Sequence, residues 1–179
     1  MNVVMRKFLV LIFCAMFVFV GCASAGGATK RADGLVEKVD PVEGYQLVTT
    51  PYFWDGNSPV NFAIATYRGD LKQHLLVNVH EIRTHRHAGS LIMSATLYDK
   101  TNPDKQISWR FDPLKTNLGG SNWIKSNNEE IALATVPTIK EILQGKPYVR
   151  IYYTGEGYTE QSVYALIRTK ALAVLDLIK

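Results

Sequence analysis

All four histidines of the 179-residue chain fall between His74 and His87. Neutral imidazoles two residues apart on a strand can ligate zinc or copper. His80, His85 and His87 are therefore the candidate metal ligands, with Glu81 as a carboxylate that could join them. Parity constrains the set. His74 and His80 share one strand face with Asn78, whereas His85 and His87, if the strand runs on, share the opposite face. One regular strand cannot aim all of them at one ion, so a bend near Thr84 is required. The competing reading is a solvated strand face followed by a basic turn, Arg83-Thr84-His85-Arg86-His87, since no recognised ligand spacing is present.

Other chemistry is sparsely encoded. There is no G-x-S-x-G elbow, no H-E-x-x-H pair and no phosphate-binding loop. His80 and Glu81 are adjacent and point to opposite faces of a strand, so they make no dyad. Gly119-Gly120-Ser121 reads as a loop. A hydrolase could still be assembled from distant residues. Aromatic residues are the remaining candidates. Tyr52, Phe53 and Trp54 precede Asp55-Gly56-Asn57, Trp123 stands among polar neighbours, and Tyr148, Tyr152, Tyr153, Tyr158 and Tyr164 crowd the last hairpin. Exposed aromatics anchor protein partners or stack on sugars. The bland expectation is that Trp109 and most of the tyrosines fill the core or cover its strands.

The elements that must position these groups are mostly strands. Val60, Phe62, Ile64 and Thr66 alternate with Asn61, Ala63, Ala65 and Tyr67, and the same period recurs around Leu75–Val79, Leu91–Leu97 and Ile107–Phe111. One apolar face per strand is what a half-buried antiparallel sheet demands. Gly69-Asp70, His87-Ala88-Gly89 and Asn102-Pro103-Asp104 read as turns, which makes Leu91 to Phe111 a hairpin with a longish loop. Pro113 to Asn128 reads as a long loop, and residues 129–136 suit either helix or strand. Thr138 to Glu141 fits a capping box for a short helix stopping at Gly145. Tyr148–Thr154 and Tyr158–Tyr164 read as paired strands. Ile167, Ala171, Val174 and Ile178 make one helical stripe. The expected fold is mainly β: an antiparallel β-sandwich or curved sheet with a C-terminal α-helix.

At the N-terminus, Arg6 and Lys7 precede Phe8 to Val20, which contains no charged residue, and small residues follow from Gly21 to Gly26. The order is that of a secretory signal. Its apolar run is shorter than the roughly 20 residues of a spanning helix. Either Met1 or Met5 can serve as the start. Phe19-Val20-Gly21-Cys22 resembles the lipobox of bacterial lipoproteins, with Phe19 standing where leucine is usual. The resemblance implies cleavage before Cys22 and diacylglyceryl transfer to its thiol. Because Ala23 rather than aspartate follows the cysteine, it also implies the periplasmic side of the outer membrane; an ordinary secretory signal cut near Ala25 would instead give a soluble product. Cys14 lies in the discarded run, so Cys22 is the only mature cysteine and no intramolecular disulfide can form.

The domain organisation expected is a signal peptide over 1–21, a lipidated flexible tether over 22–34 and one β-rich domain over 35–179. Loss of Arg6 and Lys7 lowers the formal net charge from +4 to +2, which calls for no nucleic-acid partner. The first functional expectation is a non-enzymatic lipoprotein, held to the membrane through Cys22, that binds another envelope protein or a cell-wall component without a cofactor. The alternatives are a zinc- or copper-binding domain using His80, His85 and His87, and a small envelope hydrolase.

Overall fold

The computed structural model describes residues 28–40, 44–50, 59–82, 89–118, 124–155 and 157–179. Strands β1 (Ala28–Lys30), β2 (Val36–Asp40), β3 (Tyr45–Thr49), β4 (Val60–Tyr67) and β5 (Gln73–Ile82) follow one another as a meander. The chain continues through β6 (Ile92–Asp99), β7 (Asn102–Arg110), β8 (Asn117–Leu118) and β9 (Ile124–Ile131). Helix α1 (Val136–Gln144), β10 (Pro147–Tyr153), β11 (Tyr158–Ser162) and helix α2 (Ala165–Leu175) complete it. Two sheets result, one ordered β1-β2-β3-β4-β5-β9-β8 and the other β11-β10-β6-β7. Every pairing is antiparallel. This is the expected β-sandwich-like arrangement with a C-terminal helix.

Period-two alternation builds the core. Val60, Phe62 and Ile64 of β4 and Leu75, Val77 and Val79 of β5 are buried together with Ala95 and Leu97 of β6 and Val149 and Ile151 of β10. Trp109 belongs to this core, its ring edge-on to Phe62 at 6.2 Å. The helices bridge the sheets. Helix α1 packs on β6, β7 and β10, α2 packs on β4, and the two helices touch each other. Ile139, Ile142 and Leu143 of α1 are fully buried, as are Ala171, Val174 and Leu175 of α2. Each such aliphatic side chain contributes about 1.5–3 kcal/mol on burial. The helical stripe read from Ile167, Ala171 and Val174 is the buried face of α2.

Four local expectations change. Ile124–Ile131 is one strand: it takes in the end of the segment read as a loop, through Asn128, and the start of the segment left open between helix and strand, and it pairs with β5 along its whole length. Its Lys, Ser, Asn and Glu residues disfavour strand by composition, but cross-strand pairing outweighs that preference. Asn102-Pro103-Asp104 lies within β7, and the hairpin turns on Lys100-Thr101 instead. Helix α1 starts at Val136, with Pro137 in its first turn, so Thr138 to Glu141 is interior and makes no capping box. Ala28–Lys30 pairs with β2, so the sheet begins inside the segment read as tether.

Asp99 explains the tight hairpin. Its Oδ1 accepts from the Thr101 backbone N–H at 2.9 Å, the Thr101 hydroxyl at 2.7 Å and the Lys146 N–H at 3.2 Å. Those three donors hold its carboxyl below the usual carboxylate range. One side chain thus ties the β6–β7 turn to the exit of α1, where the Lys100 N–H also donates to the Lys146 carbonyl at 2.8 Å. The carboxylate occupies the space beside Gly145: a Cβ there would lie 2.8 Å from Asp99 Cγ and closer still to Oδ2. Gly145→Ala is therefore expected to displace Asp99 and lower the unfolding free energy by about 1–3 kcal/mol. Urea denaturation measures it; an unchanged midpoint would show that the carboxylate can move without loss.

Candidate functional site

The histidines separate. His74 and His80 stand on the face of β5 opposite Leu75, Val77 and Val79, as parity requires. Six residues of strand put them roughly 20 Å apart, too far to share an ion. His74 is partly exposed, with Nδ1 at 2.9 Å from Glu130 Oε1 and Nε2 at 3.4 Å from Asp70 Oδ2. Tyr67 meets its ring edge-on at 5.1 Å. His80 is 1 % exposed, and burial pushes its pKa down to about 3, so the ring is neutral. Its neighbourhood is a buried polar row. Asn61 pairs in register with Asn78, and Asn61 Oδ1 accepts from the Thr50 hydroxyl at 3.1 Å. A neutral imidazole is the form that ligates metal. Its proposed co-ligands His85 and His87 lie outside the described residues, as do Cys22 and Trp123. Among the described residues no three or more His, Cys, Asp or Glu side chains converge on a point where an ion could sit.

The side chains that do converge lie on the outer face of the four-stranded sheet. β10 has Val149, Ile151 and Tyr153 buried, while Tyr148, Arg150 and Tyr152 point away from the core. Cross-strand partners share a face. Tyr148 therefore lines up with Ser162 and Tyr98, Arg150 with Glu160 and Thr96, and Tyr152 with Tyr158 and Ser94. β7 extends the rows with Gln106, Ser108 and Arg110.

Arg150 is the centre of the face. Its Nη2 and Nε donate to Glu160 Oε2 at 2.7 and 3.1 Å. Its guanidinium carbon lies 5.3 Å from the Tyr98 ring centroid and 5.1 Å from that of Tyr158. Lys100 donates to the other Glu160 oxygen at 2.7 Å and sits 5.0 Å from the Tyr148 ring centroid. Lys100 first, then Tyr98 and Arg150, hold the Glu160 carboxyl down at about 2. Tyr152 and Glu160 keep Arg150 firmly charged. Burial, then the Glu160 charge, raises the Tyr98 hydroxyl. Each exposed cation–π contact is worth about 0.5–1 kcal/mol, and the two rings on this guanidinium help fix it in place.

The arrangement suits recognition. Tyrosine and arginine are the residues that concentrate binding energy in interfaces, and a pre-ordered arginine costs little conformational entropy on docking. Lys100 and Arg150 both bond the Glu160 carboxylate, so the cluster offers fixed donors suited to hydrogen-bond-accepting groups. An open hollow of about 370 Å³ on the other sheet, bordered by Val39, Gln46, Tyr67 and Arg68, has no serine, cysteine or histidine in its lining.

Tyr153 and Trp109 fill the core as expected, whereas Tyr148, Tyr152 and Tyr158 form the outer face. The alternation around Arg150 carries that signal: a charged residue marks the wet side of a strand, and residues two away share it. Tyr98, Lys100 and Glu160 join only through long-range pairing, which no local pattern reveals.

His80 makes stability pH-dependent. Its folded pKa lies below the free-imidazole value of about 6.5, so the unfolded chain takes up the proton first. Stability is full above that value and falls as the pH drops from about 6.5 towards 3, at about 1.4 kcal/mol per pH unit. Denaturation at pH 6.5, 5.5 and 4.8 should show this slope, and His80→Gln should remove it. The same slope in His80→Gln would assign the acid sensitivity elsewhere.

No protein-family model, curated protein or solved structure matches this chain, and what it does has to be read from its own faces and buried groups.

Proposed function

We propose that the protein is a non-enzymatic binding lipoprotein of a bacterial envelope. It is anchored by lipid on Cys22 to the periplasmic side of the outer membrane. The outer face of its four-stranded sheet docks another envelope protein or a cell-wall component. The observation that carries the docking reading is the clamped Arg150, paired to Glu160 and flanked by Tyr98 and Tyr158. Such a group presents donors at fixed positions among aromatic rings. The anchoring reading rests on the order Arg6-Lys7, an apolar run, then Gly21-Cys22. Two acyl chains are enough for stable membrane attachment.

Two variants test the two parts separately. Cys22→Ser should abolish incorporation of labelled palmitate and release the domain into the soluble fraction; a labelled, membrane-bound Cys22→Ser protein contradicts the anchor. The double variant Tyr152→Ala/Tyr158→Ala should keep the melting temperature within a few degrees while weakening binding of the wild-type envelope partner at least tenfold. A double variant that binds as tightly as wild type contradicts docking at this face.

A further inference from the structure

Three complete rows of cross-strand partners run over the outer face of the four-stranded sheet, from β11 through β10 and β6 to β7. No side chain in those rows is aliphatic: they are tyrosine, serine, threonine, glutamine, arginine and a single glutamate. The buried centre of an interface between two proteins is apolar and poor in serine and charge. Small molecules favour concave sites. An open sheet face suits instead a polymer laid along it, and the composition of the rows decides which polymer.

Two kinds of group are on offer. The first is a pair of rings. Tyr152 and Tyr158 lie side by side, with centroids 5.8 Å apart and planes tilted by 47°. Tyr158 is 55 % exposed, so its ring is open to a ligand. Beside the rings stand the smallest side chains of the face, Ser94 next to Tyr152, then Thr96 and Ser108, whose hydroxyls hydrogen-bond at 2.7 Å. The second kind is the N–H donor. Glu160, the one carboxylate in the rows, already accepts from Lys100 and Arg150. Arg150 commits two of its five N–H groups to it. Arg110 is exposed and, among the described residues, has no carboxylate partner. Charged donors thus exceed charged acceptors, next to rings and hydroxyls.

We propose that this face binds a linear N-acetylated glycan, the polysaccharide of a cell wall, lying along β10. The proposal rests on the docking reading above and names its ligand. A pyranose ring has a face of C–H groups that stacks on a tyrosine ring, and a rim of hydroxyls that both donate and accept. Its acetamido carbonyl is the acceptor that the uncommitted N–H groups of Arg150 and Arg110 call for. The charges are complementary as well: an uncharged chain accepts from these donors and leaves the pairing of Glu160 with Lys100 and Arg150 undisturbed. Tyr148 and Tyr152, at the two ends of the β10 column, stand about 13 Å apart along the strand. A single sugar does not span that column, whereas an oligosaccharide does.

The test uses purified protein and no membrane, so it stands apart from the fate of the Cys22 anchor. The probe is a β-linked tetramer of N-acetylglucosamine, titrated into isotope-labelled protein and followed by amide NMR shifts. Saturable shifts in β6, β7, β10 and β11, with a Kd at or below about 1 mM, are expected. The glucose tetramer of the same linkage lacks the acetamido group and should bind roughly tenfold more weakly. Tyr158→Ala should weaken binding of the N-acetylated tetramer about fivefold, Tyr158→Trp should keep it, and Arg110→Gln should narrow the preference between the two sugars. Both residues are exposed, and an unchanged melting temperature confirms that the variants fold. The proposal is overturned by the absence of saturable shifts, by shifts confined to other surfaces, by equal affinity for the two tetramers, or by a Tyr158→Ala protein that binds as wild type does. If the tetramer fails to bind while Tyr152 and Tyr158 are still shielded from modification in intact envelopes, the occupant is a protein: the glycan is overturned and the docking reading stands.

Discussion

The alternation of β10 serves two surfaces at once. Val149, Ile151 and Tyr153 close the core beneath the four-stranded sheet, and Tyr148, Arg150 and Tyr152 form the middle column of the outer face. β10 lies between β6 and β11, so both neighbours must hold it in register for either surface to exist. A slip of one residue would send Arg150 into the core and Ile151 to solvent. An unpaired guanidinium among aliphatic side chains is far too costly to tolerate. The hydrophobic requirement of the inner face thereby fixes the position of every polar group on the outer one. Arg150 meets Glu160, and Tyr152 meets Tyr158, as a consequence of burying Val149 and Ile151.

The seven-stranded sheet uses its outer face differently. Leu47, Ala65 and Leu76 make a small apolar cluster there, with Tyr45 and Tyr67 against it. Further along β5, the neutral His80 ring and the Asn61–Thr50 pair are buried. Buried polar groups are costly unless hydrogen-bonded, and they specify one arrangement when they are. The two outer faces are therefore unlike: one sheet buries the polar row around His80, and the other holds Arg150, Glu160 and their tyrosines, already ordered, at its surface.

Much of the fold was legible because a half-buried sheet writes its burial into the chain at period two. β4, β5, β6 and β10 show it plainly, and α2 shows the helical stripe. β9 was hidden because Ser126-Asn127-Asn128-Glu129-Glu130 lacks the apolar alternation. Asn127 is buried through hydrogen bonds from its amide to the Asp112 carbonyl and the Thr116 hydroxyl, contacts that composition does not encode. The Lys100-Thr101 turn was hidden because Asp99 makes it, with help from Lys146 far along the chain, while Asn-Pro-Asp offered a stronger local signal nearby. The outer face was half legible. Arg150 and its flanking tyrosines lie in one strand, but Lys100 and Glu160 arrive from two others. His80 was visible as a residue that could do chemistry, and its burial depends on the packing around it.

The claim on which the functional account turns is that the Tyr–Arg face is covered by a partner in the envelope. Hydroxyl-radical footprinting of the protein in intact envelopes, compared with the same protein purified, measures this directly. Tyr152 and Tyr158 should be modified several-fold less in the envelope, while exposed Leu71 and Leu114, elsewhere on the surface, should be modified equally in both. Equal modification of Tyr152 and Tyr158 in the two preparations would contradict the account.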